Sequence, residues 1–215
     1  MSSYRDWIVT DIRKKDDEKI KEVICHGDAI IEIISQEGNS LIVGVVTNDP
    51  VSSINLYNLY NDEPKPDFVI AKGMTVWTGD AINYARQNHI GWGGLGEMYS
   101  AIDNSDVSSV QKKEYKFVEL GLKNHSKVSH LERLYDRIFK IHRTGHLQPL
   151  IITLINSYEL TAEEIRKASN TYGSFDIVLI TNPNGNTTGR AEMVAEELSA
   201  EILKWGELLG RLNKK

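Results

Sequence analysis

Apolar positions in this chain fall into short β-branched runs that alternate with stretches of helical period. Asp28–Ser35 and Ser40–Thr47 are rich in Ile and Val, and Gln36-Glu37-Gly38-Asn39 between them has turn chemistry, so the two runs predict a hairpin. Val51–Tyr60 carries Ile54, Leu56, Leu59 and Tyr60 at helical positions. Glu63-Pro64-Lys65-Pro66 then interrupts the chain before a strand over Asp67–Ala71. A helix from about Thr78 to Asn88 follows, then a short strand opened by Ile90, with Gly91–Gly94 as a tight connection. Upstream, residues 11–24 place Ile12, Ile20, Val23 and Ile24 among dense charges, the pattern of an amphipathic helix ended by His26-Gly27.

Residues 103–128 are polar and read as a junction. Ser129-His130-Leu131-Glu132 has the spacing of a capping box, and Leu131, Leu134, Tyr135, Ile138 and Phe139 follow at helical intervals, so a helix is expected there. Leu150–Ile155 reads as a strand. Thr161-Ala162-Glu163-Glu164 is a second capping box, opening a helix with Ile165 and Ala168 inward. Phe175–Thr181 is strand-like, Asn182-Pro183-Asn184-Gly185 is a turn, and Arg190–Leu203 predicts a helix that buries Val194, Leu198 and Ile202. Strands alternating with helices at this spacing imply an α/β fold with right-handed crossovers and a parallel or mixed sheet.

The pattern occurs twice, about 110 residues apart. Ser40-Leu41-Ile42-Val43 aligns with Pro149-Leu150-Ile151-Ile152, and Asp67-Phe68-Val69-Ile70 with Asp176-Ile177-Val178-Leu179. Trp77-Thr78-Gly79-Asp80 aligns with Thr187-Thr188-Gly189-Arg190, and Leu95-Gly96-Glu97-Met98 with Trp205-Gly206-Glu207-Leu208. The repeat predicts two related units packed as an internal pseudo-dimer. The expected divisions are a first unit over 1–110, a basic linker and helix over 111–148, and a partial second unit over 149–215.

Composition narrows the classes. The chain has 215 residues, 40% apolar and 26% charged, ordinary for globular domains. A formal charge of −5 excludes a wholly basic nucleic-acid coat but leaves room for a local positive patch. Cys25 is the single cysteine, so no intramolecular disulfide forms; that fits a reducing compartment, and Cys25 is expected to be a small buried hydrophobe. No apolar run is long enough to span a bilayer, and Met1–Thr10 lacks a signal-peptide core, so a cytoplasmic protein with no membrane partner is expected. There is no Walker-type loop, and a single cysteine excludes a Cys-x-x-Cys zinc pair.

Asp67-Phe68-Val69-Ile70, Thr78-Gly79-Asp80-Ala81-Ile82-Asn83-Tyr84-Ala85, Ile90 and Leu95-Gly96-Glu97-Met98 together resemble the back half of an Mrr-type restriction endonuclease domain, of the PD-(D/E)XK nuclease superfamily. The resemblance covers about residues 27–102 and echoes in 149–212. It implies restriction-endonuclease-like three-layer units. It also implies an aspartate at the start of one strand and a Glu/Gln-x-Lys on the next, where acids bind Mg²⁺ and the lysine orients water and stabilises phosphate charge. Asp28 stands where that aspartate belongs. Val45 and Thr47 occupy the other two positions, and Ile151–Asn156 of the second copy has neither acid nor lysine. The resemblance therefore implies a catalytically degenerate protein that binds DNA or scaffolds a nucleic-acid complex, with no cofactor, and with DNA and a second copy of the chain as partners.

Two other readings stay open on the residues. Asp28 and Glu32 lie on one face of a strand by period two, so they could hold Mg²⁺ beside Lys72 as migrated catalytic residues of an active endonuclease, or simply form a solvated strand face. Alternatively, the loops near Gly79 and Gly189 could cradle a nucleotide or small anion at helix starts, or merely provide turns and caps through Thr78 and Thr188. For nucleic acid, Arg133, Arg137, Lys140 and Arg143 lie in a segment rich in Lys and Arg, with the first three on one face of the expected helix, and Trp77 in a loop is a candidate for base stacking. The same charges would also suit an ordinary solvated face.

Overall fold

A computed structural model describes residues 3–15, 18–102 and 104–214. The chain divides into two compact units, Met1–Lys112 and Lys113–Lys215. In the first, helix α1 (Tyr4–Lys15) precedes strands β1 (Ile20–His26), β2 (Ile30–Ser35) and β3 (Ser40–Val46). Then come α2 (Ser53–Tyr60), β4 (Phe68–Ala71), α3 (Gly79–Gln87), β5 (Gly91–Gly93) and α4 (Leu95–Ala101). The sheet order is β1-β2-β3-β4-β5. The first three strands form an antiparallel meander, while β3, β4 and β5 are parallel. That geometry accounts for β4: all four of its residues are buried, as a central strand covered on both faces requires.

Alternation along the strands decides which helices cover which face. Ile31, Ile33, Leu41, Val43, Val45, Phe68 and Ile70 point to α1 and α4, joining Ile8, Ile12 and Met98 in one apolar core. On the other face α2 and α3 pack together, burying Leu56, Leu59, Ala81, Ile82 and Ala85. Gly44 admits α2 so closely that a Cβ there would collide with the Leu59 side chain.

The second unit repeats this order: α5 (Lys113–Lys123), β6 (Val128–Tyr135), β7 (Ile138–Arg143), β8 (Leu150–Ile155), a two-residue β9 (Glu159–Leu160) and α6 (Ala162–Tyr172). It continues with β10 (Ile177–Ile180), a two-residue β11 (Asn186–Thr187), α7 (Gly189–Glu197), β12 (Glu201–Lys204) and α8 (Trp205–Arg211). The order β6-β7-β8-β10-β12 matches the first sheet strand for strand. Among the described residues the protein is thus mixed α/β, with two five-stranded mixed sheets and eight α-helices.

The repeat extends to individual hydrogen bonds. Asp67 Oδ2 accepts from the Ile42 amide at 2.9 Å and Asp176 Oδ2 from the Ile151 amide at 2.6 Å. Thr78 and Thr188 cap α3 and α7, accepting from Ala81 and Ala191 and donating to Val51 O and Leu160 O. Glu97 and Glu207 reach back to the amides of Gly94 and Lys204 at 2.9 and 2.7 Å. His89 and Ser199 both take φ of 57° where α3 and α7 turn into the last strand. Side chains with no reason to coincide repeat the same turn chemistry, as two copies of one unit would.

Several expectations change. Residues 11–24 are the end of α1 and the strand β1, and 129–139 are the hairpin β6–β7, not helices. The cause is the same in both places. β1 has a bulge between Ile20 and Glu22, and β6 has bulges between Val128 and His130 and between Arg133 and Tyr135. Each extra residue breaks the period of two and leaves apolar side chains at intervals that imitate a helix. Ser129 donates to His142 O across the hairpin instead of capping anything. Residues 113–148 therefore open the second unit, and α7 ends at Glu197, with Ile202 in β12. The capping box at Thr161 is as expected: its hydroxyl accepts from the Glu164 amide while Glu164 accepts from the Thr161 amide at 2.9 Å.

Candidate functional site

The carboxyl ends of the parallel strands, with the loops that leave them, are where open α/β sheets present a crevice. In the first unit β3 and β4 end there, β2 begins there, and α1 starts above it. The Val45 amide donates to Ala29 O at 2.7 Å, which sets Asp28 beside Val46 and Thr47. Asp28 is exposed, on the turn before β2. The Arg5 guanidinium reaches this turn, donating to Gly27 O, and also pairs with Asp6 at 2.6 Å. That bond holds the Asp6 carboxyl below its usual range. Lys72 is exposed immediately after β4, and Tyr4 Oη donates to Ala71 O at 3.2 Å. The topology thus brings Asp28 and Lys72 to one end of one sheet.

Glu32 is not part of that end. It pairs with Ile42, whereas Asp28 lies near Val46, a separation of roughly 13 Å along the strands. Sharing a strand face did not make the two acids converge. Glu32 accepts from Ser40 Oγ at 2.6 Å and meets His26 Nε2 at 2.8 Å. The Ser40 hydrogen bond first, and then His26, hold its carboxyl below the usual range. A depressed carboxyl contributes stability above its unfolded-state pKa, and that stability is lost as pH falls through the folded-state value. Ser40→Ala should therefore lower the thermal midpoint at neutral pH, with the gap from wild type closing as the solution is acidified towards about pH 3. A gap that stays constant over that titration would contradict the assignment.

In the second unit the same place is held by Asp136. The Leu154 amide donates to Arg137 O at 2.9 Å, the counterpart of the Val45–Ala29 bond, so Asp136 corresponds to Asp28. Here the aspartate is only 7% exposed. It accepts from Tyr115 Oη at 3.1 Å and Tyr172 Oη at 3.4 Å, and Arg137 Nε lies 3.8 Å away. Burial, and then the Asp136 charge, push the Tyr115 hydroxyl far up. Arg133 Nη2 donates to Asp136 O at 2.7 Å, and its guanidinium lies over the rings of Tyr115 and Phe139, 4.9 Å from each centroid. Glu119 completes the network, 3.4 Å from Arg133 and 2.8 Å from Lys123. Asp136 lies upstream of the segments whose residues visibly repeat, where only the shared aspartate links Gly27-Asp28-Ala29 with Tyr135-Asp136-Arg137.

The expected nucleic-acid residues fare unevenly. Arg133 is 5% exposed and internal to the network, so it offers nothing to a phosphate. Arg143 is also buried, donating to Gln148 O at 2.7 Å and Lys214 O at 2.6 Å, where it ties down the end of the chain. Trp77 is 3% exposed and packs on Trp92 with ring centroids 5.1 Å apart; it is core, not a loop stacking platform. Arg137 and Lys140 do reach the surface, both half-buried, but on a turn and a strand rather than one helix face. Cys25, expected in the core, is exposed on the edge strand β1.

Near Gly79 and Gly189 the helix starts are already served by Thr78 and Thr188, and Asp80 accepts from Ser53 N at 3.1 Å and Ser53 Oγ at 2.5 Å. An anion there would meet a carboxylate in the first unit. Among the described residues no group of three or more His, Cys, Asp or Glu side chains is arranged to hold a metal ion, and no described helix is long and apolar enough to cross a membrane. No protein-family model, no curated protein and no solved structure matches the chain, so its functional reading rests on its own residues.

Proposed function

We propose that the chain is a catalytically degenerate, Mrr-like protein, two restriction-endonuclease-like copies forming a pseudo-dimer, that binds DNA or scaffolds a nucleic-acid complex. One observation carries the loss of catalysis. At the sheet end where Asp28 stands, β3 presents Val45 and leads into Thr47, where such an enzyme keeps an acid or amide and a lysine. Mg²⁺ requires several convergent oxygen ligands, and one exposed carboxylate does not supply them. The second copy goes further: Leu154 and Asn156 fill the two positions, and the Asp136 carboxylate is engaged by two tyrosines. The active-endonuclease alternative loses support because Glu32 is bonded elsewhere.

Charge distribution supports the DNA part. Residues 1–112 carry ten basic and seventeen acidic side chains, a formal −7, whereas 113–215 carry fifteen and thirteen, a formal +2. Only the second unit thus carries a net positive formal charge. The protein incubated with duplex and single-stranded DNA in Mg²⁺ or Mn²⁺ should leave both intact. Robust cleavage that Asp28→Ala abolishes would overturn the reading. Anisotropy of a labelled 30-mer should show affinity that falls with salt; no binding of either strand form, or binding indifferent to salt, would remove the DNA part.

A further inference from the structure

The outer face of α5 combines exposed apolar side chains with cations. Lys113, Phe117 and Leu120, and Lys116, Leu120 and Lys123, are linked by separations of three and four, so the five form a single stripe along the helix. Phe117 is 59% exposed and Leu120 52% exposed, although both could have been polar at no cost to the core. Trp205, opening α8, packs beside Phe117 with ring centroids 5.1 Å apart and planes inclined at 53°. Gly121 makes this possible, since a Cβ there would collide with the Trp205 ring. Both acids of α5 are turned away from the stripe: Glu114 accepts from Thr181 Oγ1 at 2.6 Å, and Glu119 is buried against Arg133. The face therefore shows aromatic and aliphatic surface flanked by cations, with no carboxylate of its own helix.

Resting on the nucleic-acid reading above, we infer that this stripe binds single-stranded nucleic acid, with a base on Phe117 and Trp205 and the neighbouring phosphates on Lys113 and Lys116. Bases in a duplex are stacked on each other and offer no face to a protruding phenyl ring, whereas an unpaired strand offers both a π-face and a phosphate at each step. Lys123 contributes less, because Glu119 already holds it at 2.8 Å. A bilayer is the poorer occupant: interfacial helices bury a broad apolar face, and here only two helix side chains and one neighbouring ring protrude.

The test uses the full chain and fluorescein-labelled 20-mers of mixed sequence, single-stranded and duplex, read by anisotropy across salt. The expected result is single-strand affinity in the range of about 1–100 μM with a log–log salt slope of about −1.5 to −2, for two to three lysines, and weaker duplex binding. Phe117→Ala should weaken single-strand binding roughly 5- to 150-fold, the range for losing one stacked base. Phe117→Tyr keeps a ring and should bind like wild type, which separates stacking from any structural loss. Lys113→Glu with Lys116→Glu should flatten the salt slope. If the duplex binds as well as the single strand and Phe117→Ala changes neither, this inference falls while the DNA reading stands, and Arg137→Glu with Lys140→Glu then tests the hairpin turn as the contact. If neither form binds, both fall. If Phe117→Tyr loses as much as Phe117→Ala, or Phe117 governs only self-association in sedimentation or binding to anionic vesicles, the stacking assignment is wrong.

Discussion

Arg133→Ala should lower the melting temperature of the second unit by more than about 10 °C and leave the first unit's transition in place. The side chain is almost wholly buried, with Glu119 and the Asp136 carbonyl as partners and two aromatic ring centroids within 4.9 Å. Removing one member of a buried ion pair typically costs about 3–5 kcal/mol, because the remaining charge is left without compensation. At about 4–8 °C per kcal/mol for a unit of this size, the shift is easily measured by calorimetry. The positions that correspond in the first unit carry no charge, although the strand position is exposed there and not buried. By strand register Arg133 corresponds to Cys25, and by helix position Glu119 corresponds to Val9. Glu119→Val combined with Arg133→Met should therefore cost less than Arg133→Ala alone, since no unpaired carboxylate remains. If the double variant is the less stable of the two, the network contributes more than its pairwise charges and the comparison fails.

Phe68→Ala should be the corresponding lesion in the first unit. Phe68 is fully buried at the start of β4, pairs with Val43 and Gly91, and belongs to the core beneath α1 and α4. Phe→Ala in such a site costs about 3–5 kcal/mol, from lost transfer energy and the cavity left behind. Hydrogen exchange should then quicken in residues 3–112 while residues 113–214 keep their protection. Equal acceleration across both units would show that they unfold together and would contradict their treatment as separate compact units.

The parts of the fold that were legible have a common property. Ser40–Val46, Phe68–Ala71, Leu150–Ile155 and Ile177–Ile180 are short runs of apolar, mostly β-branched residues in central strands, where burial on both faces leaves one interpretation. The Thr161 capping box was legible because both partners lie within four residues. The edge strands β1 and β6 were not, since each is half exposed and bulged, and neither condition has a local signature. The site divided in the same way. Asp28 lies at the sheet end because it stands on the turn before β2. Glu32 lies away from it, because a period of two gives the face of a strand and says nothing of distance along it.

Local spacing along the chain thus settled the α/β class and the repeated order of elements. Whether a cation faces solvent or the interior was decided only by the folded chain. Arg133 and Arg143 became internal partners, and Phe117 was left outside. Charge and polarity are properties of a residue, but the cost of burying them depends on neighbours brought together from distant segments, such as Glu119 and Asp136 around Arg133.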